Sequence, residues 1–405
     1  MHDDMHSDAP ARETAPDYGI LVHCHLRWGF VWQRPQHVMS RLSMRHPILF
    51  LEEVAPLPEG ETEPRLEVER VSDTLTVARV LMANHIGDPE EDAATDRVNA
   101  AAWVRLVTGL HAAQGWRQTV HWFYTPEAAG ARGMFTPVAV AYDCMDELAN
   151  FKGADAARLR DLEAGLMSGA DVVYTGGPSL YQARTDRHAN VHQFNSGVDV
   201  EHFRKALDPA TPVPDDAKDL PHPVLLYYGV IDERMGWDNL AAVCDAHPDW
   251  SVLMVGPLAK ITEDELLRRP NLHYTGQKGY DLLPGYLKAC DVALVPFALS
   301  DATRFLSPTK TLEYFAARRP VVATPIQDIV DHYADAARIA ATPDEFVRAC
   351  EAAINEDNAG DNAGDNAARL DAGERHAAQW TWDNIVQRMG DLLDSLVERN
   401  MGRVA

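Results

Sequence analysis

Short runs of apolar, mostly β-branched residues alternate with helix-length stretches from one end of this chain to the other, and that alternation limits the fold more than any other feature. Strands separated by a helical stretch cannot pair as hairpins. They belong instead to parallel sheets with crossover helices, in an α/β architecture. In the first half the strands are expected at Ile20–Cys24, Ile48–Glu52, Val120–Phe123, Val138–Tyr142, Asp171–Thr175 and Asn190–Phe194. In the second half they fall at Val224–Val230, Ser251–Val255, Asn271–Thr275, Val292–Pro296 and Pro320–Thr324. Runs without polar alternation, such as VAVAY and VLLYYGV, suit strands covered on both faces.

Between the two series, Asp208–His222 is rich in Pro and Asp, lacks periodicity, and reads as a linker or long surface loop. Two doubly wound, Rossmann-like domains joined near residue 200 account for the 405 residues, with a cleft between them as the default ligand site. The expected division is a disordered polar leader over 1–17, a first domain over 18–200, a second over 201–378, and a helix over 379–405 packing back on the body. Thr381 and Asp383 offer caps for that helix, and Trp380 and Trp382 would anchor it. The acidic repeat NAGDNAGDN within Asn355–Asn366 reads as a solvated loop.

The net charge of −24 repels a phosphate backbone over most of the surface and argues against nucleic acid as a substrate. Counter-charges for any anionic ligand must then be local. Five cysteines, odd in number and without a Cys-x-x-Cys pair, fit neither a disulfide framework nor a zinc knuckle and suit a reducing cytoplasm. No apolar run approaches the ~20 residues that span a bilayer, so membrane contact would be peripheral.

The strongest constellation is SDATRFLSPTKTLEYFAARRPVVATPI, Ser300–Ile326. Ser307 is expected as the N-cap and Pro308 as the first helical residue, with helix from Thr309 to Arg318. The opening of such a helix gathers free N–H groups, the positive end of the dipole, the hydroxyls of Ser307 and Thr309, and the Lys310 ammonium. It is a site for a diphosphate. Glu313 lies one turn deeper on the same face and could accept hydrogen bonds from ribose hydroxyls; an exposed i,i+3 salt bridge with Lys310 is the structural alternative. The buried strand that follows places this helix within an α/β unit where such ligands bind.

Weaker signals surround it. In GVIDERMGWDNL, Gly229 and Gly236 allow close backbone approach and Arg234 could clamp a phosphate, although a strand-to-helix turn needs no ligand. Gly276, Gln277 and Tyr280 stand where a base-binding edge could be, and plain turn chemistry explains Gly276 equally well. In HCHLRWGFVWQRPQHVMSRL, Arg27, Trp28, Gly29, Arg34 and His37 crowd a strand's carboxyl end. His23 and His25 lack a compact third ligand and read as packed histidines rather than a metal site. In AYDCMDELANF, Asp143 and Asp146 could deprotonate an acceptor hydroxyl or could cap a helix.

Taken in order, RPQHVMSRL, YDCMDEL, ADVVYTGGPSLY, NSGVDVEHF, GVIDERMG, GQKGY and SPTKTLEYFAARRPVV resemble bacterial GT-B glycosyltransferases of the family 4 type, particularly those of polysaccharide and teichuronic acid synthesis. The resemblance runs from Tyr18 to Leu396. It implies two Rossmann-like domains with an interdomain cleft, the first binding the acceptor and the second the donor. It further implies transfer from a nucleoside diphosphate sugar, usually a UDP-sugar, to a glycan or lipid-linked acceptor hydroxyl, with no metal and no cofactor beyond the donor. Such an enzyme would be cytoplasmic, with peripheral contact at the inner face of the membrane.

In such an enzyme Lys310 would neutralise diphosphate, with Arg234 or Arg304 beside it. Gly229, Gly276, Gln277, Tyr280, Ser307, Thr309 and Glu313 line the donor site, and Trp28, Gly29, Arg34 and His37 the acceptor side. The second glutamate of the family's Glu, seven residues, Glu pattern falls on Glu313, and the first falls on Phe305. The family's arginine and lysine after the first strand of the second domain fall on Val230 and Met235. These departures leave retaining and inverting courses open. In an inverting, glucuronosyltransferase-like course, Asp143 or Asp146 would be the base. A sugar-nucleotide epimerase and a non-catalytic sugar-nucleotide-binding protein are the rival expectations.

Overall fold

The computed structural model describes residues 18–85, 87–355 and 363–404. The expected leader over 1–17 lies outside the described residues. The first domain's strands are β1 (Tyr18–His23), β2 (Ile48–Leu51), β3 (Ala55–Pro56), β4 (Arg65–Arg70), β5 (Leu75–Met82), β6 (Gln118–Phe123), β7 (Ala139–Cys144), β8 (Val172–Thr175) and β9 (Val191–Gln193). They form one sheet in the order β3-β5-β2-β1-β6-β7-β8-β9, parallel throughout, with β4 added antiparallel to β5. The second domain holds β10 (Val224–Tyr228), β11 (Ser251–Val255), β12 (Leu272–Tyr274), β13 (Val292–Val295), β14 (Val321–Ala323) and β15 (Ala337–Ile339). Their order is β12-β11-β10-β13-β14-β15, again parallel.

Strand order reverses at β1, which lies between β2 and β6, and at β10, which lies between β11 and β13. Chains leaving the carboxyl ends of such strands turn to opposite faces of the sheet and open a crevice. The loops after His23 and after Tyr228 are therefore the two that the topology aims at a ligand.

Burial follows the apolar runs. VLLYY of β10 and SVLMV of β11 are buried at every position, as strands covered by helices on both faces must be. The antiparallel β4, RLEVER, is largely exposed and carries charge along its edge. It and β3, β5 and β15 had no place in the sequence reading, which followed uninterrupted apolar runs. Asp208–His222 is a loop in the structure, and it is fastened to the second domain. Lys288 Nζ donates to the carbonyls of Pro209 and Thr211 at 2.7 Å, and Tyr286 donates to Asp216 at 2.7 Å.

Among the described residues the chain crosses between domains twice, and the crossings lie side by side. Val198 N–H donates to the Trp380 carbonyl at 2.8 Å, and Trp382 N–H returns a bond to the Val198 carbonyl at 3.2 Å. A Cβ on Gly197 would stand 2.9 Å from both Trp380 O and Trp382 N, so no side chain fits there. After the second crossing, the helix Trp382–Val404 lies on the first domain. Ile385, Met389, Leu393, Leu396 and Val397 recur at helical spacing and join the core formed by Ile20, Val22, Trp122 and Tyr174. Tyr18 donates to Asp394 at 2.5 Å, and Trp382 stacks on His37 at 4.7 Å.

One loop assignment is corrected. Residues 356–362 lie outside the described residues, but Ala363–Asn366 already belong to the helix Ala363–Gln379. Asn366 is buried, donating to the Ala353 carbonyl at 3.0 Å and accepting from Arg338 at 2.9 Å. A buried amide with both ends satisfied overrides the polar composition around it.

Candidate active site

Between the domains lies a cavity of about 680 Å³, lined from both sides. The helix Thr309–Ala316 opens into it from the second domain. Pro308, with φ −70° and ψ 105°, is the N-cap, so the expected assignment of Ser307 as cap and Pro308 as first helical residue shifts by one. Proline has no N–H to satisfy and its extended ψ ends the preceding loop. Ser307 is instead packed across the interface, where a Cβ on Gly177 would stand 2.8 Å from its own Cβ, and it supports the buried carboxylate of Asp328.

Lys310 points back along the helix toward β10. Its Nζ lies 5.4 Å from the Tyr227 ring centre and 5.1 Å from that of Phe297. Its stem packs on Gly229, where a Cβ would meet Lys310 Cε at 3.0 Å. With φ +132°, Gly229 also adopts a backbone that side chains rarely reach. Burial pushes the ammonium below the ordinary lysine range, Glu313 pulls it back up, and Arg234 lowers it further. Burial raises the Glu313 carboxyl, opposed by the 2.7 Å hydrogen bond from Tyr228 and by Lys310. The pair is thus a desolvated charge couple rather than an exposed salt bridge.

Arg234 is held bidentate by Asp232, at 3.0 Å from Nε and 2.6 Å from Nη2. Its guanidinium lies between Phe297, at 5.9 Å, and Phe151 of the first domain, at 5.3 Å. Gln277 donates to the Phe30 carbonyl across the cleft, and Tyr280 stacks on His202 at 4.4 Å while meeting His37 edge-on at 5.4 Å. Thr309 also lines the cavity.

The two candidate bases separate. Asp143 is fully buried, and Arg34 holds it through Nη2 at 2.8 Å and Nε at 3.0 Å. A carboxylate with no exposed surface cannot meet an acceptor hydroxyl, so Asp143 is corrected to a structural role. Arg34 lines the cavity while it holds Asp143 and donates to the Phe194 carbonyl at 2.8 Å. Asp146 lines the cavity. Burial pushes its carboxyl up to about 6, against the pull of Arg234 and Lys260.

Other expected positions are not brought into the cavity. Trp28 is buried against Phe50, and Gly29 is exposed. Gly276 turns outside with φ +71°, and Arg304 is exposed over the Phe305 ring. Phe305 reaches across to pack on the first domain's cluster of Phe123, Val140, Tyr142 and Leu166, so the position of the family's first glutamate is an interdomain apolar contact. His23 is buried beside His121 at 5.2 Å, with burial holding its imidazole well below the usual range. Among the described residues no group of three or more His, Cys, Asp or Glu could hold a metal ion.

Residues 222–356 match the family described as Glycosyl transferases group 1. The match covers a third of the chain and makes the second domain similar to group 1 glycosyltransferases. Around it, the teichuronic acid biosynthesis glycosyltransferase TuaH of Bacillus subtilis (strain 168) is 27% identical over 176 residues, a match spanning 41% of this chain and 43% of that relative. Sucrose-phosphate synthase from Thermosynechococcus elongatus superposes with a TM-score of 0.66 at 15% identity, covering 94% of this chain and 99% of that one. Anabaena HepE, in complex with UDP and glucose, superposes at 0.60 and 13% identity, covering 94% and 99%. The fold is GT-B, with the second domain supplying Lys310, Glu313, Arg234 and Tyr280 to the cleft.

Sequence reading missed Lys260 and Phe151. Lys260 Nζ of the second domain lies 4.0 Å from the Phe151 ring centre on the first domain. No local pattern marks either residue, because they meet only when the two domains do.

Proposed function

We propose that this protein is a glycosyltransferase that moves a sugar from a nucleoside diphosphate sugar, most simply a UDP-sugar, to an acceptor hydroxyl presented by the first domain. The observation that carries this reading is the Lys310 ammonium. It is desolvated at a helix opening in the interdomain cleft, lies on two aromatic rings, and has no hydrogen-bonded partner among the described residues. A cation so placed calls for an anion, and a helix N-terminus adds N–H donors for the same oxygens.

In this reading Lys310 meets the charge that develops on the leaving diphosphate, and Glu313, fixed by Tyr228, accepts from the ribose. Asp146 takes the acceptor proton, its raised carboxyl being poised for general base work near neutral pH. Asp146 facing the cavity favours an inverting course over a retaining one, which would need no such base. Closure of the two domains excludes water from the reacting centre. Similarity to TuaH supports an acceptor of cell-surface polysaccharide synthesis, a free or lipid-linked glycan handled at the cytoplasmic face. No described helix is long and apolar enough to cross a membrane, so in this reading a lipid-linked acceptor is met peripherally.

The test is calorimetry with UDP beside an incubation with a panel of nucleoside diphosphate sugars, with and without glycan acceptors. Transfer that requires acceptor supports the reading. Epimerised donor without acceptor would make the protein an epimerase, and tight UDP binding without turnover would make it a binding protein.

A further inference from the structure

The cations of the cleft divide into two kinds. Arg27, Arg34, Arg234 and Lys278 each hold a carboxylate, at 2.9 Å (Glu53), 2.8 Å (Asp143), 2.6 Å (Asp232) and 2.6 Å (Asp216) respectively. Lys260 and Lys310 line the same cavity; Lys310 holds none, and Lys260 has only a loose ion pair with Glu233, beyond hydrogen-bonding distance. Lys310 belongs to the proposed diphosphate site. Lys260 does not. It follows β11 rather than opening a helix, and it lies toward the first domain.

Three further observations mark Lys260. Its φ of +60° is a left-handed backbone that a lysine rarely adopts, and such outliers are kept where the surrounding structure needs the side chain aimed one way. Here it is aimed over Phe151, at 4.0 Å. Its side chain remains 41% exposed and lines the cavity. Glu233, whose buried oxygens have no hydrogen-bond partner, stands at 3.6 Å outside the cavity lining and balances the ammonium from behind, leaving its cavity side for a ligand. Lys310, Arg234 and Lys260 form a row, each linked to the next by a shared ring, first Phe297 and then Phe151. The row leads from the diphosphate site to the acceptor side.

We propose that Lys260 is the centre of a second oxyanion subsite, taking a carboxylate or phosphate carried by the sugar portion of a substrate. This rests on the glycosyltransferase reading and names the substrate class: an acidic sugar, on the acceptor or as the transferred residue of the donor. A point charge with three donors suits either group, and the aromatic face beneath orients the stem without competing for the charge.

The experiment compares the wild type with Lys260→Met, which keeps the stem on Phe151, and Lys260→Arg, which keeps the charge. Relative kcat/KM is measured for matched pairs, UDP-glucuronate against UDP-glucose and a uronic acid or phosphorylated glycan acceptor against its neutral counterpart. The expected result is a wild-type preference for the acidic member of one pair that falls at least about tenfold in Lys260→Met and is mostly restored in Lys260→Arg. The affected pair identifies donor or acceptor as the source. Ratios equal in the wild type and Lys260→Met for both pairs overturn the subsite. Failure of the wild type to bind UDP in calorimetry overturns instead the reading on which it rests.

Discussion

Replacing Lys310 with Met tests the central electrostatic claim and can be worked from the structure in both directions. The thioether keeps an apolar stem against Gly229 and the rings of Tyr227 and Phe297, so packing survives. What is lost is one positive charge beside the expected diphosphate. At an effective dielectric near 20 and ~4 Å separation that contact is worth about 4 kcal/mol, or a loss of about 10²- to 10³-fold in kcat/KM. Stability moves the other way. The ammonium's pKa is lower in the folded protein than in the unfolded chain. Folding is therefore penalised at neutral and lower pH, and the penalty fades as pH rises from about 8, where the folded ammonium loses its proton, to the ordinary lysine range. Glu313, left without its partner, takes up a proton. Relief of the charge in this half-buried position is worth about 1 kcal/mol, and the melting temperature should rise by about 2 °C at pH 7. Initial-rate transfer assays, UDP calorimetry and thermal unfolding read the three quantities. A variant within threefold of wild-type kcat/KM and UDP affinity would refute the reasoning, whatever its stability.

Three other outcomes are expected. Asp146→Asn should lower kcat by about 10²-fold with little change in UDP affinity; the wild-type rate should fall as pH drops through about 6, where the carboxylate takes up its proton, and this limb should vanish in the variant. Transfer measured with EDTA should stay within twofold of the rate with added magnesium, since the reading assigns the diphosphate charge to Lys310 and the helix opening. Gly256→Ala should destabilise the second domain by about 3 kcal/mol or more in denaturant titrations, because φ is +149° and the new Cβ would meet Gly229 O at 1.9 Å.

The sheets were legible because parallel strands buried on both faces leave uninterrupted apolar runs, as in VLLYY and SVLMV. The exposed, charged β4 leaves no such trace. Lys310, Glu313 and Asp146 were legible because each is placed by its own strand or helix end, a local relation that spacing preserves. Asp143 differs from Asp146 by three positions, yet only the approach of Arg34, 109 residues away, decides that it is sealed. Lys260 acquires its meaning from Phe151 on the other domain, and Phe305 from Phe123 and Leu166. Relations between domains are the part of a cleft that no single stretch encodes.

The side-by-side crossings at Val198 and Trp380–Trp382 limit how this molecule can open. Two backbones stitched by a reciprocal pair of bonds place both crossings on one line, as the leaves of a door hinge are placed, so an opening of the cleft would have to swing about that line. Each swing would return Lys260 to the same ring and Asp146 to the same cations, so registration across the gap is built into the joint and need not be searched for anew at each turnover.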